Sequence, residues 1–141
     1  MTTYTKTLHL PTRGHTHILD ITPQVEAAVA ESGLTHGLVT VFVPGSTAAI
    51  TTMEYEPGCV ADFQRLMETL APEDGSYAHN QRWGDGNGYA HLRAALVGPD
   101  LTVPLVQGRL ALGTWQQIVL VDFDNRPRQR RVLVHILGER A

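Results

Sequence analysis

The segment from His79 to His91 places two imidazoles around Asp85-Gly86-Asn87-Gly88. Neutral histidine nitrogens and a carboxylate are ligands for a divalent ion, zinc or magnesium/manganese, so His79, Asp85 and His91 are candidate metal ligands. Asn87 and Gly88 stand where a helix is expected to begin. Backbone N–H groups at a helix start lack intrahelical partners and attract anions, which makes Asn87 and Gly88 candidate phosphate contacts. The plainer alternative is that Asp85 and Asn87 only build the turn and cap the helix.

Pro44-Gly45-Ser46-Thr47 offers backbone N–H groups and the hydroxyls of Ser46 and Thr47 to a phosphate. No lysine follows the glycine, so this is not a P-loop. Downstream, Glu54 is a candidate general base or metal ligand. Gly108-Arg109 and Gly113-Thr114-Trp115-Gln116-Gln117 form a third group. The Arg109 guanidinium suits bidentate contact with a phosphate, and Trp115 can stack on a flat ring. A fourth group is Arg126, Arg128, Arg130 and Arg131. Arg128 and Arg130 share a strand face and could form an anion patch, but the group reads more simply as a solvated turn whose charges block edge-to-edge aggregation.

The elements that must hold these residues are legible in outline. Tyr4, Lys6, Leu8 and Leu10 alternate with Thr3, Thr5, Thr7 and His9, which predicts a strand, and His15 to Ile21 returns as the second strand of a hairpin. Thr22-Pro23 predicts a helix start with Thr22 as cap, and Gly33 its end. Gly37 to Val43 is a nearly continuous apolar, β-branched run that predicts a strand covered on both faces, and Ser46 to Thr52 predicts a further short strand. Val60, Phe63, Met67 and Leu70 recur at helical spacing. Pro72 to Gly88 reads as a long irregular loop, a place where function concentrates. A third helix is expected over Gly88 to Val97, followed by strands over Leu101–Val106, Arg109–Leu112, Gln116–Asp124 and Arg131–Leu137. The class is α+β: a single β-rich domain over 1–141, with mixed or antiparallel sheets and about three helices on one side.

The chain has 141 residues, 43% hydrophobic and 18% charged, a composition for one globular domain and not for a disordered chain. Its net charge of −3 argues against a general nucleic-acid coat. Cys59 is alone, so no intrachain disulfide forms. The N-terminal stretch lacks the apolar core of a signal peptide, and no apolar run reaches the roughly 18 residues of a membrane span. The expectation is a soluble cytoplasmic protein with no membrane and no nucleic-acid partner.

Taken together, GLVTVFVPGSTAAITTMEYEPG, YAHNQRWGDGNGYAHLRAALVGPDLTVP and GRLALGTWQQIVLVDFDNRPRQRRVLV resemble the YjbQ family, uncharacterised protein family 0047, also known as secondary thiamine-phosphate synthase enzymes. The resemblance runs from about Thr7 to Gly138. It implies a homotrimer with a site near a subunit boundary. The family's polar motif positions fall on Glu54, His79, Asp85, Asn87, His91, Arg109, Thr114, Trp115 and Gln116. It also implies a metal ion among the His and acidic side chains. One departure is visible: many members have Pro-His before two hydroxyl residues, where this chain has Pro44-Gly45. The activity implied is a thiamine-phosphate synthase-like transfer, with Glu54, Asp85 and Arg109 as catalytic candidates. The alternatives are a metal-assisted hydrolase of a small phosphorylated metabolite and a non-catalytic trimeric metabolite-binding protein.

Overall fold

A computed structural model describes residues 1–141. In chain order the elements are β1 (Thr2–Thr12), β2 (His17–Asp20), α1 (Thr22–Ser32), β3 (His36–Phe42), β4 (Ala48–Met53), α2 (Pro57–Leu70), α3 (Ala78–Trp83), α4 (Gly88–Val97), β5 (Asp100–Val106), β6 (Arg109–Leu110), β7 (Gln117–Asp122) and β8 (Arg128–Glu139). They form a five-stranded sheet in the order β1-β8-β3-β5-β6 and a three-stranded sheet in the order β2-β7-β4. Every pairing is antiparallel.

The small sheet is the middle layer. Along β7, Ile118 and Leu120 enter the core shared with the large sheet, while Val119 and Val121 enter a second core against α2 and α4. Successive strand side chains point to opposite faces, so a strand covered on both sides must be apolar throughout. The run Ile118-Val119-Leu120-Val121 meets that demand, and all four are fully buried. In β8 only one face is covered: Val132, Val134 and Ile136 point inward, and Arg131 and His135 point out. No helix is long and apolar enough to cross a membrane.

Several local expectations change. β1 and β2 do not pair as a hairpin, because β1 joins β8 in the large sheet and β2 joins β7 in the small one. β3 is covered on one face only: Val39 and Val41 are buried, while Leu38 and Phe42 stay exposed on the outer face of the large sheet. The stretch from Pro72 to Gly88 contains a helix, α3, in place of a continuous loop. Its residues, Ala78 to Trp83, bury nothing fully, so no apolar period announces it. The helices do not all lie on one side: α2 and α4 cover the small sheet, whereas α1 packs through Val25, Ala28 and Val29 into the inter-sheet core. Thr22 is the first residue of α1 and not its cap. Its N–H donates to the Asp20 carboxylate, and its hydroxyl accepts the Ile118 N–H at 2.8 Å.

Candidate functional site: a cleft built on two buried carboxylates

The inward parity of β7 and β8 continues past the apolar core. After Ile118 and Leu120, the next inward positions are Asp122 and Asp124. Before Val132, they are Arg130 and Arg128. Where the two sheets run out of hydrophobic side chains, two carboxylates therefore face two guanidiniums. Asp122 and Asp124 are fully buried. Asp122 accepts Arg130 Nε at 2.7 Å and Nη2 at 2.9 Å, and the Thr12 hydroxyl also donates to it. Asp124 accepts Arg128 Nε at 2.9 Å, the Thr47 hydroxyl at 3.0 Å and Asn87 Nδ2 at 3.2 Å. Burial pushes the Asp124 carboxyl up. The Asn125 N–H, Asn87, Arg128 and Thr47 hydrogen bonds outweigh that and hold its pKa at about 2. Each arginine is gripped through Nε and Nη2, which leaves Nη1 without an acceptor in the chain.

The two histidines close the opposite wall. His79 comes from α3 and His91 from the first turn of α4. Their rings lie 4.2 Å apart between centroids, tilted by 38°. His79 Nδ1 is buried without a hydrogen-bond partner and lies 3.5 Å from Asp85 Oδ1. Burial lowers the His91 pKa below its usual value, and the charge of His79 lowers it further, against weaker pulls from Asp85 and Asp124. His91 is therefore neutral at pH 7. Its folded pKa lies below the unfolded value, so its neutral form stabilises the fold above about pH 6.5, and this is lost as pH falls. An NMR titration should find the His91 midpoint below that of a free imidazole, and His79→Gln should raise it. A midpoint above 6.5 in the native chain would contradict this environment.

The cleft between these walls has a volume of about 420 Å³ and is floored by Gly45, Ser46 and Thr47. Of the sequence candidates, it gathers Ser46, Thr47, His79, Asp85, Asn87 and His91. Two expectations fail here. Gly88 does not offer its N–H to a phosphate, because that group donates to Asn80 Oδ1 at 2.8 Å. Asn87 does not cap α4 with its side chain, which turns to Asp124 and leaves Oδ1 buried and unpartnered. A third reading is reversed. Arg128 and Arg130 are cleft residues and not a solvated turn: the Arg130 side chain is only 10% exposed.

Glu54, Arg109, Thr114, Trp115 and Gln116 lie elsewhere in the chain. The β4–β7 ladder fixes the separation. Ala48 pairs with Asp122 at the cleft end, and Met53 pairs with Gln117 at the other. Five residues of strand put these ends about 17 Å apart. Arg109, Thr114 and Gln116 line a separate 480 Å³ cavity with Thr22 and Glu26. Gln116 bonds Thr52 and the Gly113 N–H. Trp115 is 71% exposed beside them. Glu54 is exposed just past Met53 and makes no side-chain hydrogen bond, whereas its neighbour Glu56 caps α2.

Comparison with known proteins sets this geometry in context. The family model described as "UPF0047 protein YjbQ-like" matches residues 6–139. The chain belongs to the YjbQ family. A UPF0047 protein of Archaeoglobus fulgidus is 43% identical over 130 residues, covering 92% of this chain and 98% of that protein. A UPF0047 protein of Methanothermobacter thermautotrophicus is 39% identical over 99% of this chain and 95% of its own. A crystal structure of a YbjQ-like protein of unknown function from Sulfolobus solfataricus superposes with a TM-score of 0.93 at 36% identity, covering 98% of this chain and 99% of that one. The two-sheet architecture is thus a YjbQ fold.

The metal ion implied by the sequence resemblance was tested against the donors of this YjbQ chain. His79 and Asp85 are adjacent and His91 faces His79. No group of three His, Cys, Asp or Glu side chains converges on a common point, here or elsewhere. The remaining nearby carboxylates, Asp122 and Asp124, direct their lone pairs at arginine, threonine and asparagine donors. The donor set does not fit a metal centre.

Proposed function

We propose that this YjbQ-family chain binds a small phosphorylated metabolite in the Arg128–Arg130–His79–His91 cleft and transfers a group from it, in a reaction of the thiamine-phosphate synthase type. The observation that carries this reading is the pair of buried carboxylates. Each holds one arginine by two nitrogens and leaves Nη1 free at the cleft. A guanidinium fixed in advance stabilises developing oxyanion charge without reorganising. In the proposed transfer a thiazole nitrogen attacks the methylene carbon of a pyrimidine-methyl pyrophosphate. The carbon–oxygen bond breaks and its electron pair leaves with pyrophosphate. Arg128 and Arg130 receive that charge, and the His79 and His91 N–H groups add hydrogen bonds.

The site is completed by a second copy of the chain, in the trimer that the family resemblance implies. Arg109, Thr114, Trp115 and Gln116 stand about 17 Å from the cleft within one chain. They form an exposed loop whose arginine and indole have no partners of their own. The outer face of the large sheet also exposes Leu38, Phe42 and Leu137, an apolar surface that assembly would cover. Calorimetry with pyrophosphate tests the cleft. Arg130→Gln should weaken binding by at least about tenfold, the effect of one lost hydrogen bond to a charged group. Unchanged affinity in Arg130→Gln and Arg128→Gln alike would refute the reading.

A further inference from the structure

Gly45 lies on the cleft floor beside Arg130 Nη1. Its φ is +122°, and a Cβ at this position would lie 3.3 Å from Arg130 Nη1. Any larger residue would press on the guanidinium edge. The Asp122 carboxylate fixes that edge from behind through Nε and Nη2, and Thr47 holds Nη2 from the side at 2.7 Å. The one guanidinium nitrogen without an acceptor is thus directed over a bare glycine into the cleft that His79 and His91 also line.

The same residues speak against a dication in that space. A metal site needs three or more donors with free lone pairs around one point. His79, Asp85 and His91 do not converge on one. Asp122 and Asp124 spend their lone pairs on arginine. The imidazoles remain useful without a metal, because each can donate an N–H to an oxyanion.

We infer that the cleft takes its oxyanion without a metal ion, with the Arg130 and Arg128 guanidiniums supplying the positive charge and His79 and His91 the hydrogen bonds. This rests on the phosphate-binding reading above and adds how the charge is met. Inorganic phosphate is the probe. Its affinity is measured by calorimetry on chelator-treated protein in EDTA, and again with zinc, manganese or magnesium restored. Elemental analysis of the untreated protein and of its His79→Ala and His91→Ala variants accompanies it.

The expected result is binding in EDTA that changes by less than about twofold when metal is restored. Arg130→Gln should weaken it at least about tenfold in both conditions, and the untreated protein should hold no stoichiometric metal. Binding that requires an added metal, or one metal per chain lost in both histidine variants, would overturn the inference while leaving phosphate binding intact. An absence of phosphate binding with and without metal would overturn both.

Discussion

Asp124→Ala is expected to destabilise the fold by about 3–5 kcal/mol and to abolish pyrophosphate binding, because it strips a buried ion pair of one partner. Four donors lose an acceptor together: Arg128, Thr47, Asn87 and the N–H of Asn125 bond the carboxylate directly, whereas Arg130, 3.8 Å away, keeps Asp122. The Asp124→Asn change keeps the shape and removes the charge, so it should lose binding while retaining more stability. Urea denaturation of both variants measures the difference. A loss below about 1 kcal/mol in Asp124→Ala would show that the carboxylate does not organise the cleft. The pH dependence follows from its pKa of about 2 against the ordinary 3.8. A depressed carboxyl stabilises the fold fully above the higher value, and here contributes about 2 kcal/mol. That contribution disappears as pH falls through about 2.

Arg93→Ala carries the second large effect, an expected loss of about 3–5 kcal/mol. Arg93 is 2% exposed. It donates to the Ala71 carbonyl, the Thr16 hydroxyl and the Glu68 carboxylate, all within 2.9 Å, and its guanidinium lies over the Tyr89 ring. It thereby joins α4 to α2 and to the turn at His15-Thr16, where both residues have left-handed φ, 55° and 62°. Such a backbone persists only when its surroundings over-determine it. The His15 N–H in that turn bonds the Asp124 carbonyl at 2.7 Å. Losing Arg93 should therefore loosen the cleft as well as the helix layer. Denaturant midpoints and hydrogen exchange at residues 14–17 check this. Unchanged protection there would contradict the linkage.

The parts of the fold that were legible were those with an uninterrupted period. The run from Gln116 to Asp124 read as a strand, and Val25, Ala28 and Val29 announced α1, whereas coverage on both faces was expected of Gly37 to Val43 and belongs instead to Ile118 to Val121. The short helix α3 had no such mark, because its residues cover the cleft and bury no apolar stripe. The site divides along the same line. His79, Asp85, Asn87 and His91 lie within thirteen residues, so their association was visible from spacing. Asp122 and Asp124 were passed over, and Arg128 and Arg130 set aside, because a connection rich in Asp, Asn and Arg looks like a solvated hairpin turn, whereas β7 and β8 lie in different sheets. The signal was parity. Extending Ile118 and Leu120 forward, and Val134 and Val132 backward, places both acids and both arginines on the inward faces of neighbouring sheets. Arg109 and Gln116 were grouped with the histidines by family motif alone, and the strand register puts them at the far end of the ladder.

In the proposed assembly, one copy's cleft is completed by Arg109 of another copy. Co-expression of His91→Ala and Arg109→Ala subunits with different tags tests it most directly, with pyrophosphate binding measured on the doubly purified mixture. Each variant alone should bind at least about tenfold more weakly than the native chain. In a mixed trimer, a site is whole when an intact His91 meets an intact Arg109 from its neighbour, so one site in each doubly purified trimer, about one third of the sites, should recover native affinity. A mixture that binds no better than its two components, or an Arg109→Ala protein with undiminished affinity, would contradict the claim.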